Sequence, residues 1–293
     1  MSLANVTVPK GCEVSVVVVD NDCDEAVQEI VECAARGGIS KFLYLKEEIK
    51  GIPFARNKTL TAAIDLGADW IAFIDDDEFV DQDWLCAYLR AMSRFPADAY
   101  IGPVRSVYPE ATPSWYPKRN KENGPTGTNL SGGYTSNAMI NINLISPGGL
   151  GLRFDERFRF TGGEDKDFFK RAVELGLRIV SVDDAVVFED VPENRISLKW
   201  VFSRRVWVKA NSAQEFLRKK GWLLSLIKYS PKIVARSIFV ILLLVVCLLM
   251  KLFGRVRYEK CKYLMIDQLA HVVGYVRGLL NWLPQPYLNT DGG

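Results

Sequence analysis

Histidine is almost missing from this chain: His271 is the only one in 293 residues, and it lies far downstream among apolar neighbours. That leaves a Ser-His-Asp or Cys-His mechanism with little support. The six cysteines, at 12, 23, 33, 86, 247 and 261, include no Cys-x-x-Cys pair, which argues against a zinc site. The start of the chain lacks the ordered basic, apolar and small-residue regions of a secretory signal, so reduced thiols in a cytosol-facing protein are expected. A formal net charge of +2 gives no footing for nucleic acid. Any acid or base should therefore be a carboxylate.

Carboxylates are present in a telling place. Trp70-Ile71-Ala72-Phe73-Ile74 is a short apolar run ending in Asp75-Asp76-Asp77. A buried strand that delivers acids at its carboxyl end offers hard oxygen ligands at a sheet edge, where α/β proteins commonly bind ligands and divalent cations. Aspartates at strand ends also make turns and cap helices, and Asp81 and Asp83 fit that simpler role.

The surrounding order is alternating. Val14 to Val19 is a β-branched run leading into Asp20-Asn21-Asp22, and residues 24–36 carry Val27, Ile30, Val31 and Ala34 at helical spacing. A strand at 42–45, a helix near 55–66 and the strand at 70–74 complete β-α-β-α-β, which predicts a parallel sheet. A helix follows at 82–94, and residues 99–104 re-enter the sheet. Residues 109–133, rich in Pro, Gly, Asn and Lys, form a long irregular stretch of the kind that is usually functional. Strand character resumes at 135–142, Thr161-Gly162-Gly163-Glu164-Asp165 opens a helix, and a last strand at 179–182 is followed by Ala185-Val186-Val187-Phe188.

Beyond about 197 the composition changes. Basic residues including Arg204, Arg205, Lys209, Lys228, Lys232 and Arg236 are interleaved with Trp200, Trp207 and Trp222, a mixture suited to anionic headgroups. Residues 237–253 then form a 17-residue apolar run interrupted only by Lys251. As a helix this is about 25 Å long, slightly short of a bilayer core. A short span, a re-entrant or in-plane segment and a buried helix all fit its length; both flanks are basic, so charge chooses no orientation. Membrane association is the favoured reading. Residues 264–283 are amphipathic, with a Gly274-x-x-x-Gly278 spacing that hints at close helix packing.

Five ordered pieces, Val19-Asp20-Asn21-Asp22, Ala55-Arg56-Asn57, Ile74-Asp75-Asp76-Asp77-Glu78, Gly102-Pro103-Val104 and Thr161-Gly162-Gly163-Glu164-Asp165, resemble the inverting family 2 glycosyltransferases of GT-A fold, nearest to the bacterial succinoglycan-type glucosyltransferases. The resemblance implies an α/β, Rossmann-like nucleotide-diphospho-sugar transferase domain over 1–215 and a helical, membrane-associated region over 216–293. It implies that Asp20, Arg56, Asp75 and Asp76 bind the donor nucleotide, that Asp77 holds Mg²⁺ or Mn²⁺, that Asp165 is the catalytic base and that Glu164 supports it or the acceptor. Glu189 or Asp190 would complete the metal shell where some relatives supply another ligand. The implied partners are a UDP-sugar, a saccharide or polyprenyl-linked acceptor and the cytoplasmic face of the cell membrane, in cell-surface polysaccharide synthesis. Against the family pattern, the chain's first strand matches the family's second, as though the opening strand were lacking.

Two other functions fit parts of the sequence. A two-metal phosphohydrolase would use the same three aspartates, but Glu78-Phe79 stands where such enzymes want Thr or Val. A truncated, inactive homologue would serve as a membrane-bound scaffold or saccharide binder. In the long loop, Trp115 and Tyr116 are candidates for stacking on a sugar, with ordinary burial as the alternative.

Overall fold

The computed structural model describes residues 2–23, 25–34, 39, 41–118 and 120–282. They divide into two compact units, one comprising Met1–Val107 and Arg119–Asp190, the other Tyr108–Lys118 and Val191–Pro286. The expected boundary near 215 falls inside a long helix.

In the first unit, β1 (Ser15–Asp20) pairs in parallel with β2 (Lys41–Lys46), with α1 (Glu25–Ala34) between them in sequence. α2 (Ile52–Asp65) leads to β3 (Trp70–Ile74), β4 (Glu78–Val80) and α3 (Trp84–Arg94); β5 (Ala99–Ile101), β6 (Val104–Val107) and β7 (Asn137–Asn141) follow. α4 (Glu164–Glu174), β8 (Ile179–Ser181) and β9 (Val187–Asp190) complete the unit. The four-stranded sheet has the order β3-β7-β5-β8, and a three-stranded sheet has the order β4-β9-β6.

A parallel sheet is only part of the answer. β1/β2, β5/β8 and β6/β9 are parallel, but β7 runs antiparallel to both β3 and β5. A parallel neighbour needs a crossover that carries the chain back to its starting end, usually a helix. No helix lies between β6 and β7 among the described residues, and the irregular stretch there returns the chain in the opposite direction.

The central sheet is covered on both faces because side chains alternate along each strand. Ile71, Phe73, Ile101, Ile140 and Ile179 join Leu60, Phe154, Phe168 and Phe169 in one cluster. Their neighbours Tyr100, Met139 and Val180 turn the other way, toward Trp84 and Tyr88 of α3. Phe154 and Phe168 stack at 4.5 Å, which anchors α4 by its apolar face.

Asn137, the first residue of β7, is fully buried and fully bonded. Its Oδ1 accepts from Trp84 Nε1 at 2.9 Å and from Tyr88 OH at 2.7 Å, while Nδ2 donates to the carbonyls of Pro103 at 2.9 Å and Ala185 at 2.7 Å. A buried amide is tolerated because its capacity is met.

The second unit is helical. α5 (Leu198–Met250) is broken at Gly221, whose φ of 79° and ψ of 173° are not helical. The chain folds back there: Tyr229 OH donates to the carbonyl of Ser212 at 3.2 Å and its ring packs 5.8 Å from Phe216. α6 (Arg255–Leu279) runs against both halves of α5. The small-residue spacing in α6 is structural, because a Cβ on Gly274 would sit 2.6 Å from Lys209 Cβ and one on Gly278 would collide with the carbonyl of Ala210. Trp115 stacks on Tyr263 at 5.6 Å and Tyr116 lies 5.7 Å from Tyr108, so these rings are engaged by aromatic neighbours of their own unit.

Most of the apolar run is left exposed, Leu243 and Cys247 being its buried residues. Ile241 is 65% exposed and Leu248 60%, and this is a helix long and apolar enough to cross a membrane. The reading as a buried helix is thereby set aside.

Candidate active site

Asp20 closes β1 with its carboxylate already oriented. Oδ1 accepts from the backbone N–H groups of Asp22 at 2.8 Å and Cys23 at 3.0 Å, and Oδ2 accepts from Tyr44 OH at 2.7 Å. The loop beyond is tied down by Asn21, whose Nδ2 donates to the carbonyls of Glu47 and Ile49 and whose Oδ1 accepts from Gly51 N–H. A carboxylate held by backbone donors in a buried position is a fixed acceptor for a ligand N–H or O–H group.

β3 and β4 are joined by a tight turn over Asp75-Asp76-Asp77-Glu78. Glu78 N–H donates to the carbonyl of Asp75 at 3.2 Å, and Asp75 N–H donates back to Glu78 Oε2 at 2.8 Å. Asp76 and Asp77 face outward while Asp75 and Glu78 are half-buried. Burial pushes the Glu78 carboxyl up to about 9, with repulsion from Asp75 adding to it. Asp75 keeps 42% of its side-chain surface open, yet its crowded carboxyl is also held above the ordinary range by burial, against the pull of Arg56 and Lys121. Lys121 stands nearby, donating to Ser136 Oγ at 3.1 Å.

The third group comes from α4. Gly162 and Gly163 take φ values of 66° and 98°, a left-handed path that residues with a Cβ rarely follow, and it turns the chain sharply into the helix. Glu164 and Asp165 thereby occupy the first helical turn, where the backbone field favours negative charge. Asp165 is half-buried, and its Oδ1 accepts from Lys166 N–H at 2.7 Å. Glu164 is only 3% exposed; Oε1 accepts from Arg56 Nη1, and Oε2 has no hydrogen-bond partner among the described residues. Burial raises the Glu164 carboxyl even with Arg56 opposing it.

Arg56 joins these elements. One guanidinium edge meets Glu164 of α4, Nη2 lies 3.5 Å from Asp75 Oδ1 beyond β3, and the plane sits 5.7 Å over the Phe154 ring. The acids that end β3 and the acids that begin α4 therefore share one cation. Register brings a further acid close in the sheet, since Glu189 of β9 is the cross-strand partner of Glu78.

Glu78, Lys121 and Tyr44 are additions to the residues expected from sequence. Glu78 carried a signal, being the fourth acid of one turn; Lys121 and Tyr44 carried none, because a lone cation in a loop and a tyrosine in a strand are common. Among the described residues no group of three or more Asp, Glu, His or Cys side chains is arranged so that it could hold a metal ion. The donor chemistry nevertheless fits a hard divalent cation. Asp75, Asp77 and Glu78 supply oxygen atoms at one turn, and the carboxyls of Asp75 and Glu78 are held up first by burial and then by their acidic neighbours, a repulsion that a bound dication would relieve.

Comparison with known proteins agrees with this architecture. The profile of glycosyl transferase family 2 matches residues 2–149. Succinoglycan biosynthesis protein ExoM of Rhizobium meliloti (strain 1021) is 35% identical over 207 residues, which is 70% of this chain and 65% of that protein. The chain thus spans about two thirds of that relative's length. Among solved structures, S. aureus TarS 1-349 in complex with UDP gives a TM-score of 0.50 at 19% identity, covering 94% of this chain and 85% of that one. The same protein in complex with UDP-GlcNAc gives 0.50 at 17% identity, with the same coverage. At these identities the structural likeness speaks for the fold.

Proposed function

Because the chain belongs to glycosyl transferase family 2, we propose that it moves a sugar from a UDP-sugar to a saccharide, free or carried on a polyprenyl lipid, with inversion at the anomeric carbon. The setting is polysaccharide synthesis at the cytoplasmic face of the cell membrane. The observation that carries this reading is the Arg56 bridge, which gathers Asp75 of the strand-end turn and Glu164 of the α4 turn around a single guanidinium.

Asp20 accepts the uracil N–H, a role suited to a carboxylate whose oxygens are already fixed by Tyr44 and two backbone donors. Asp75 and Asp76 face the ribose. Arg56 holds Asp75 in place and lends positive potential to the diphosphate side of the cleft. Asp77, with Asp75 and Glu78 as neighbouring donors, would hold Mg²⁺ or Mn²⁺, which would supply Lewis-acid neutralisation of the departing diphosphate. Asp165 takes the proton of the acceptor hydroxyl as that oxygen attacks, from the side opposite the leaving group, and this geometry inverts the centre. Glu164, locked by Arg56 and with one carboxylate oxygen unspent, orients the acceptor or Asp165 itself.

The chain's exposed apolar run supports attachment to a bilayer. Release of UDP from a panel of UDP-sugars in detergent, with added Mg²⁺ or Mn²⁺ and then EDTA, tests the reading. Asp165→Asn is expected to lower turnover at least about a hundredfold, the scale of general-base contributions. Asp77→Ala should remove the dependence on added metal. Equal rates in wild type and both variants would overturn the assignment.

A further inference from the structure

The helical unit holds a concentration of positive charge that the proposed sugar transfer does not use. Arg205 and Lys209 lie on the first half of α5, Lys232 and Arg236 on the second half, and Asp267, Gln268 and His271 on α6. Arg205 and Arg236 bond to the adjacent α6 residues Asp267 and Gln268, and Lys209 and Lys232 each lie one helical turn from one of these arginines, so the four cations occupy one neighbourhood. Asp267 meets only part of that charge: its Oδ1 accepts from Arg205 Nε at 2.7 Å, while His271 Nδ1 lies 2.7 Å from its carbonyl. Arg236 Nη1 is spent on the neutral Oε1 of Gln268, and Lys232 is exposed, 5.7 Å from the Tyr229 ring. Gly274 makes the cluster possible, because without its Cβ α6 comes against the stem of Lys209.

Four cations facing one carboxylate repel one another, and the repulsion grows as water is displaced. An anion carrying two or more charges would balance them, and guanidinium groups favour phosphate oxygens. The position of the cluster adds a second requirement. Arg236 directly precedes the apolar run at 237–253, of which Ile238 is 55% exposed. Basic pockets between helices at the edge of an apolar span are sites for phosphate headgroups.

We propose that Arg205, Lys209, Lys232 and Arg236 form a docking site for a phosphate or diphosphate group borne on a long hydrocarbon chain, the hydrocarbon lying along the exposed face of residues 237–253. Arg205 is steered by Asp267 and Arg236 by Gln268, so the two guanidinium groups are positioned before the ligand arrives. The same chemistry could come from a lipid-linked acceptor or from bulk anionic phospholipid; the site is assigned to the former. That choice rests on the proposed function, whereas the existence of the site does not.

Binding without turnover separates the two. The full chain in neutral detergent is titrated by calorimetry with farnesyl diphosphate, with inorganic diphosphate and with micelles containing phosphatidylglycerol. Farnesyl diphosphate should bind at least tenfold more tightly than either of the others. Lys232→Gln and Lys209→Gln should each weaken it several-fold and Arg236→Gln at least tenfold, with Arg236→Lys restoring part of the loss; thermal melts report whether each variant is folded. Asp77→Ala should bind farnesyl diphosphate as wild type does, and loss of binding there would move the ligand to the donor cleft and overturn the site. Unchanged affinity in the folded lysine and arginine variants would also overturn it. Equal affinity for inorganic diphosphate would remove the hydrocarbon from the proposal, and equal affinity for phosphatidylglycerol would remove the acceptor. Absence of sugar transfer in the same preparation, with farnesyl diphosphate binding intact, would count against the proposed function and leave the site standing.

Discussion

The two units solve opposite problems with charge. In the α/β unit, acids are delivered by elements whose apolar residues are buried on both sides, and carboxylates are held by named donors: Asp20 by Tyr44, Glu164 by Arg56, Glu78 by the N–H of Asp75. In the helical unit, cations sit on segments whose apolar residues face outward, with Ile241 and Leu248 more than half exposed. Rigid burial sets the geometry of the first; the second leaves its apolar surface for the surroundings to cover. Side-chain geometry fixed by packing belongs with the former, and an apolar face left open with the latter.

That contrast can be broken most sharply in the core. Phe168→Ala removes a fully buried ring stacked on Phe154 and should cost about 3–5 kcal/mol, the range for large-to-small core changes. Because Phe168 shares α4 with Glu164 and Asp165, donor turnover should fall with stability, as a thermal melt and a UDP-release assay on one sample would show. Preserved stability would mean that the α4 core is less tightly packed than the stacking indicates.

Gly274→Leu sharpens the other side. The new side chain would press on Lys209 and the carbonyl of Val206, and overpacking of this kind costs about 1–3 kcal/mol. The stability of the detergent-solubilised protein, read from a thermal melt, should fall by that amount while the UDP binding proposed for the α/β unit stays near wild type. The smallest effect is expected at Leu242, which is 56% exposed. Leu242→Ala should leave stability in detergent within about 0.5 kcal/mol of wild type, as surface changes do. It should nevertheless weaken partition into neutral vesicles in a flotation assay; unchanged partition would detach this face from the bilayer.

Much of the first unit could be read in advance, because β1, β2, β3 and α2 to α4 announce themselves by apolar runs and turn residues next to each acid. The reversal at β7 could not. Asn137-Ala138-Met139-Ile140-Asn141 looks the same whichever way it pairs, and its direction is set by partners distant in sequence. The link from Arg56 to Glu164 was hidden for a similar reason: no local pattern pairs a cation on α2 with an acid on α4. In the second unit the apolar run and the Gly274-x-x-x-Gly278 spacing were plain, while the fold-back at Gly221 was not, since an isolated glycine is tolerated inside helices and Pro231 is the more obvious breaker nearby.

Asn137 carries a lesson of its own. Its amide is a keystone between α3 and two loop carbonyls, and it works only because one end gives protons and the other takes them. Hydrolysis to aspartate would set a carboxylate against the oxygens of Pro103 and Ala185. Ageing chemistry at this one position would therefore wedge the sheet open from within, without touching any acid of the reaction.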